Sequence, residues 1–120
     1  MSAARQRGTA WETAIVNFLT SHGFPHAERR ALAGALDKGD IAGVPGVVIE
    51  AKNCKQINLA QFMDEALAER DNAGAVVGVA WIKRRGKASA ADGYVVMDGP
   101  TFTYLLREAG WGTDLSGGAA

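Results

Sequence analysis

Residues 38–54 read K-G-D-I-A-G-V-P-G-V-V-I-E-A-K-N-C and contain the clearest strand signal in this 120-residue chain. The apolar run predicts a buried strand over Val47–Cys54, and Pro45-Gly46 predicts a turn before it. Alternate side chains of a strand share a face, so Glu50 and Lys52 lie about 7 Å apart on one face. Charged side chains are rarely buried unless they are paired or bound to a metal, so a polar site is expected here.

The segments on either side of this strand predict an α/β fold. Helical periodicity and helix-ending residues indicate helices over 8–22, 58–72 and 101–109, and apolar runs indicate strands over 39–44, 75–82 and 94–97. Residues 27–36 fit a short helix or a strand, and we favour a strand. The resulting order α-β-β-β-α-β-β-α predicts a single domain with a mixed β-sheet flanked by helices. The domain is expected to cover residues 1–110, with a flexible tail over 111–120.

The composition of the chain indicates its cellular environment but does not indicate what the protein binds. No apolar run reaches the length of about 20 residues that a membrane helix needs, and the N-terminus has no secretory pattern. Cys54 is the only cysteine, which suits a reducing cytoplasm, and we expect it to pack in the interior. The 13 basic and 13 acidic residues cancel, so a nucleic-acid partner must be argued from local clusters.

The charged residues around the central strand suit metal-dependent hydrolysis of a phosphodiester. Magnesium prefers oxygen ligands, which Asp40, Glu50 and the carbonyl of Ala51 can supply. Lys52 can orient a water molecule or neutralise phosphate charge. On the first helix, Glu12 falls inside the apolar arc and is therefore expected to point toward the body of the domain.

The spacing of these residues resembles the core of the PD-(D/E)XK nucleases, in which an aspartate precedes an E-x-K strand. Asp40 is followed by nine residues and then by Glu50-Ala51-Lys52. The opening R-G-T-A-W-E, ending at Glu12, is similar to archaeal-type Holliday junction resolvases, a type that phages also encode. Gln61 lies where many relatives in the superfamily carry a glutamine near the site.

The resemblance implies a restriction-endonuclease-like fold and a homodimer that cuts branched DNA, such as four-way junctions, symmetrically. It implies an active site of Glu12, Asp40, Glu50 and Lys52, with Gln61 nearby, and a requirement for Mg²⁺ or Mn²⁺. Metal ligands would come from Glu12, Asp40, Glu50 and Ala51. Expected phosphate contacts are Arg5, Arg7, Arg29, Arg30, Lys83, Arg84, Arg85 and Lys87.

Several alternatives remain open at this point. Gly39 stands where the motif name has proline, and no serine lies between Ser21 and Ser89, although archaeal-type resolvases carry a functional serine in that region. A PD-(D/E)XK or VRR-type nuclease acting on flaps, ends or other DNA, or a non-catalytic DNA-binding module, would fit the same fold. Arg29 and Arg30 could instead pair with Glu28 and Asp37, and the two basic clusters could be ordinary solvated surface. Gln61 could instead complete a capping box with Asn58.

Overall fold

Three α-helices and five strands make up residues 2–31 and 36–113, the part of the chain described by the computed structural model. In chain order they are α1 (Ala3–Ser21), β1 (Glu28–Arg29), β2 (Ile41–Ala42), β3 (Val47–Lys52), α2 (Leu59–Ala73), β4 (Val77–Ile82), β5 (Tyr94–Val96) and α3 (Gly99–Glu108). A 3₁₀ turn, Ala90–Asp92, precedes β5. The predicted α/β class with one mixed sheet is confirmed. No helix among these residues is both long and apolar enough to cross a membrane.

The sheet has the order β1-β2-β3-β4-β5, and only its central pair is parallel. Strand β2 runs antiparallel to both of its neighbours, β1 and β3, and β5 runs antiparallel to β4. The helix α2 makes the crossover that a parallel pair requires. Lys52 at the end of β3 is paired with Ile82 at the end of β4. The two strands therefore end side by side, and the chain leaves both of them at the same end of the sheet.

The two faces of the sheet are covered by different helices. Helix α1 buries Trp11, Ile15 and Leu19 in a cluster that includes Ile49 and Trp81. The Trp11 indole donates to the Trp81 carbonyl at 3.0 Å, so its buried N–H has a partner. Helix α2 buries Phe62 against Ala80 and Ile82 on the opposite face. Because side chains alternate along β3, Glu50 and Lys52 point toward α2, as their contacts with that helix show.

Helix α2 can approach β4 closely because Gly78 has no side chain. A Cβ at Gly78 would lie 2.7 Å from the carbonyl oxygen of Ala66 and 3.0 Å from the Cβ of Arg70. Both distances are shorter than ordinary van der Waals contacts. The glycine thus sets how near the α2 side chains come to Glu50 and Lys52.

Some boundaries differ from those predicted. Helix α1 begins at Ala3 rather than Gly8, because Ser2 caps it through a 3.1 Å bond from the Arg5 N–H and the first turn contains good helix formers. Strand β1 has only two residues, and residues 32–35 of the predicted strand lie outside the described part of the chain. Leu59 was predicted to point inward but is 50% exposed, because it lies at the first position of α2. The predicted tail lies mostly outside the described residues, which end at 113.

Candidate functional site

Asp40 is held against the edge of β3 by the short β2–β3 hairpin. Its backbone N–H donates to the Ile49 carbonyl at 3.0 Å, and its Oδ2 accepts from the Ala51 N–H at 2.8 Å. The N–H and carbonyl of one strand residue point to the same edge, so the Ala51 carbonyl also lies on the Asp40 side. The structure therefore brings Asp40 and the Ala51 backbone together.

Glu50 lies at the centre of the site and is nearly inaccessible to solvent, with 8% of its surface exposed. Its Oε1 is 3.8 Å from the Nζ of Lys52, while its Oε2 is buried and has no hydrogen-bond partner among the described residues. Burial, followed by the carboxyl groups of Glu69 and Asp40, raises the pKa of Glu50 to about 11. An isolated Glu50 carboxylate at this position would be strongly disfavoured.

Two further carboxylates complete an acidic group around Glu50. One oxygen from each of Asp37, Glu50 and Glu69 lies within 4.8 Å of the other two. Glu69 is 5% exposed, and its Oε2 also lacks a partner among the residues described. Burial raises the pKa of Glu69 to about 7, and the charges of Asp37 and Asp40 add to this shift.

Carboxylate oxygens that face one another can accept but not donate hydrogen bonds, so a shared proton or a cation must lie between them. The group consists only of oxygen donors and carries a high density of negative charge. These are the properties that Mg²⁺ and Mn²⁺ prefer in a binding site. The residues present therefore fit a hard divalent cation.

Lys52 is fixed by a second pair of side chains on α2. Its Nζ donates to Glu65 Oε2, and Gln61 Nε2 donates to the other oxygen of Glu65 at 2.9 Å. Burial lowers the pKa of Lys52, but the hydrogen bond to Glu65 and the charges of Glu50 and Glu65 outweigh it, so the net pKa is raised. Lys52 is therefore a permanent cation beside Glu50.

Gln61 interacts both with Asn58, the N-cap residue of α2, and with Glu65. Its backbone N–H donates to the Asn58 side chain at 3.1 Å, which caps α2. Its side chain reaches Lys52 only indirectly, through Glu65.

Glu12 approaches the site from α1, on the opposite side of the sheet from Glu69. Its Oε1 accepts from Arg29 Nε at 3.2 Å, and only 21% of its side chain is exposed. Burial and the nearby charge of Asp40 raise the pKa of Glu12, although Arg29 opposes this shift. Glu12 is therefore a neighbour of Asp40 but is not part of the Asp37–Glu50–Glu69 group.

The predicted phosphate-binding residues separate into distinct regions. Arg7, Lys83, Arg84 and Arg85 line a cleft of about 660 Å³, which we call the basic cleft, together with Lys55. Arg29 binds Glu12 rather than Glu28 or Asp37. Arg30 lies at a smaller hollow beside the β2–β3 turn, and Arg5 and Lys87 are exposed outside the cleft lining. Cys54 was expected to be packed inside but is exposed, and it lines the basic cleft.

Three acidic residues of the site were not predicted from the sequence: Asp37, Glu65 and Glu69. Gln61, Glu65 and Glu69 recur every four residues and so lie along one face of α2. That spacing could have predicted an acidic stripe on the helix after the E-x-K strand. It could not have predicted that Glu69 is buried.

The fold and the site together define a mixed α/β domain with a buried carboxylate group and an adjoining basic cleft. Comparison with protein-family models, with curated proteins and with solved structures finds no match for this chain.

Proposed function

We propose that this protein is a metal-dependent, structure-selective DNA endonuclease of the PD-(D/E)XK superfamily and of the Holliday junction resolvase type. The proposal includes a restriction-endonuclease-like fold for its five-stranded sheet. One observation carries it: Glu50, which lies beside Asp40 and the fixed cation Lys52, has a buried carboxylate oxygen without a hydrogen-bond partner among the described residues, and so has its neighbour Glu69. Structural ion pairs rarely leave buried oxygens without a partner, whereas metal sites require such oxygens.

The cation would be held by Asp40, Glu50 and the Ala51 carbonyl, with Glu12 beside Asp40. Asp37 and Glu69 extend the same set through Glu50. When bound, Mg²⁺ or Mn²⁺ supplies a Lewis acid that polarises a phosphoryl oxygen and lowers the pKa of a bound water molecule.

Lys52 acts as a charge in this chemistry rather than as a base. Its raised pKa keeps the ammonium group protonated at neutral pH, so it cannot take a proton from water. It can donate hydrogen bonds to a water molecule or to the oxygens of the scissile phosphate, where negative charge increases in the transition state. Glu65, braced by Gln61, is a positioning residue for Lys52.

DNA would be bound by the basic residues around this site, which contact phosphates and do not read the sequence. A single acidic site makes one cut, and a four-way junction needs two. A homodimer with two-fold symmetry would therefore supply the paired nicks.

The test is cleavage of a synthetic four-way junction, a flap and a linear duplex at one salt concentration. We expect paired nicks in branched DNA with Mg²⁺ and none in EDTA. Asp40→Asn should abolish cleavage, and Lys52→Ala should lower the rate by about 10²–10³-fold through loss of a charge-stabilising donor. Asp64→Asn is the matched control, because Asp64 is exposed on α2 outside the acidic group.

Equal cleavage in EDTA and in Mg²⁺ would disprove the metal-dependent mechanism. Binding of branched DNA without cleavage, combined with no calorimetric signal for Mn²⁺ at millimolar concentration, would favour the non-catalytic module. Cleavage of flaps or ends in preference to junctions would support metal-dependent hydrolysis but contradict the proposed selectivity for four-way junctions.

A further inference from the structure

We propose that the basic cleft binds an unpaired strand of nucleic acid, so that branched DNA with a single-stranded segment beside the branch point is bound more tightly than a fully paired branch. The inference about the substrate rests on the proposed nuclease function. The inference about binding does not, because it concerns only the cleft and its ligand.

The charged residues that line the basic cleft all have the same, positive sign. Five cations line it, Arg7, Lys55, Lys83, Arg84 and Arg85, and no acidic residue among residues 2–31 and 36–113 belongs to its lining. No ion pair joins any of the five to a carboxylate in the described part of the chain. Because the whole chain has zero net charge, this local concentration of positive charge marks a site for a polyanion.

The cleft also presents apolar surface among the cations. Tyr94 lines it with 52% of its surface exposed, and the exposed side chain of Ile57 lies in the same lining. Within a duplex the faces of the bases are covered by their neighbours in the stack, whereas an unpaired base can place its face against a tyrosine ring. A positive groove combined with an aromatic platform is the usual arrangement in single-strand binding sites. The volume of about 660 Å³ lies within the range of pockets that hold small-molecule ligands.

The position of the cleft connects it to the acidic site. One wall begins with Asn53, immediately after Lys52, and the other begins with Lys83, whose N–H donates to the Lys52 carbonyl at 2.9 Å. Both walls lie at the carboxyl ends of the parallel strands β3 and β4, where α/β sheets commonly bind ligands. A strand held in the cleft would therefore lead directly to Lys52 and Glu50.

Cys54 provides a direct test because it is the only cysteine and lies exposed in the cleft. The rate of its alkylation by iodoacetamide would be measured on the Asp40→Asn protein in EDTA, with an oligothymidylate or with a blunt duplex of equal length. We expect the single strand to slow alkylation at least several-fold and to bind more tightly than the duplex. Equal affinity for the two ligands, or unchanged alkylation at saturating single strand, would overturn the proposal.

Variants of the aromatic platform separate stacking from charge. Tyr94→Ala should weaken single-strand binding about tenfold or more, which corresponds to the stacking contribution of about 1–3 kcal/mol per base, and Tyr94→Phe should restore it. Phe24→Ala is the control, since Phe24 is an exposed aromatic residue outside the cleft lining. Lys55→Glu should weaken binding independently of Tyr94.

The two proposals can fail separately. If a single strand protects Cys54 in a protein that cuts no DNA, the proposed strand binding in the cleft is supported and the proposed nuclease activity is rejected. Cutting of branched DNA with no protection of Cys54 would retain the nuclease and reject the cleft.

Discussion

At the scale of single residues, the unusual feature is the burial of Glu50 and Glu69, each with one carboxylate oxygen that finds no hydrogen-bond donor in the described part of the chain. The raised pKa values of both groups mean that protons can substitute for a cation. The metal-free protein can thus keep these carboxyls together by protonating them. A divalent cation would have to displace those protons when it binds.

This competition predicts a specific pH dependence for the metal-free protein. The pKa of both groups is raised above the ordinary 4.5, so above that pH the folded state binds more protons than the unfolded state. Their contribution to the free energy of unfolding therefore decreases as pH rises from about 4.5 through about 7, where Glu69 loses its proton, and further toward the higher pKa of Glu50. We expect the melting temperature in EDTA to fall between about pH 5 and about pH 8.

Two comparisons isolate the acidic group as the cause. Glu69→Gln replaces one titrating group by a neutral amide and should flatten the decrease, whereas Asp64→Asn should leave it unchanged. Added Mg²⁺ or Mn²⁺ should raise the melting temperature more at about pH 8 than at about pH 5, because fewer protons must be displaced. A melting temperature that rises with pH in EDTA would contradict the assigned pKa shifts.

The positions of individual side chains were predicted best where they follow from the regular geometry of one strand or helix. Alternation along β3 placed Glu50 and Lys52 on one face, and the hairpin placed Asp40 at its edge. The position of Glu12 within the apolar arc of α1 correctly predicted that its side chain points inward, where it lies near Asp40. Glu69 could not be predicted as a buried acid, because its burial depends on how closely α2 packs on the sheet.

At the scale of elements, that packing depends on Gly78. We predict that Gly78→Ala lowers the free energy of unfolding by about 1–3 kcal/mol, because the added methyl group would force α2 away from β4. Chemical denaturation would measure the change. The loss of close packing should also reduce metal affinity, since Glu69 would move away from Glu50.

Gly8→Ala is the matched control for this substitution. Gly8 lies inside α1, and a Cβ there would meet no atom within 4 Å. Alanine is favoured over glycine inside a helix, so the variant should be more stable by about 0.5–1 kcal/mol. Equal effects of the two substitutions on the free energy of unfolding would show that contact with α2 does not cause the loss of stability in Gly78→Ala.

Elements with strong local signals were predicted more accurately than elements defined by pairing. Helix α2 begins after its Asn58 cap and ends at Gly74 in the left-handed conformation, close to the predicted limits. Strand β4 is buried at every position, as its continuous apolar run indicated. Strands β1 and β2 have only two residues each, because their extent depends on partners that the local sequence does not specify.

At the scale of the whole molecule, charges are separated although their sum is zero. The acidic group lies between the sheet and α2, and the basic cleft begins where β3 and β4 end. Net charge alone would have argued against a nucleic-acid partner. The proposed nucleic-acid partner rests instead on the local arrangement, because a phosphate in the cleft would interact with the nearby cations while more distant charges are screened.

The last prediction concerns the proposed homodimer and starts from apolar residues that are exposed on α3. Phe102 and Leu105 of α3, and Trp111 beyond it, are among the exposed large apolar residues. Phe102 and Leu105 lie three residues apart on one face of α3, and Phe102 is 53% exposed. Exposed apolar patches of this kind commonly mark interfaces between proteins.

We predict a native mass of twice the 12.6 kDa chain, measured by light scattering after gel filtration. The double substitution Phe102→Ser with Leu105→Ser should shift the protein to the monomer, because it removes apolar area that association would bury. Leu59→Ser is the control, since Leu59 is equally exposed but lies at the start of α2. The monomeric variant should nick one strand of a junction at a time and lose the paired cuts, whereas a wild-type monomer that makes paired cuts would refute the dimer.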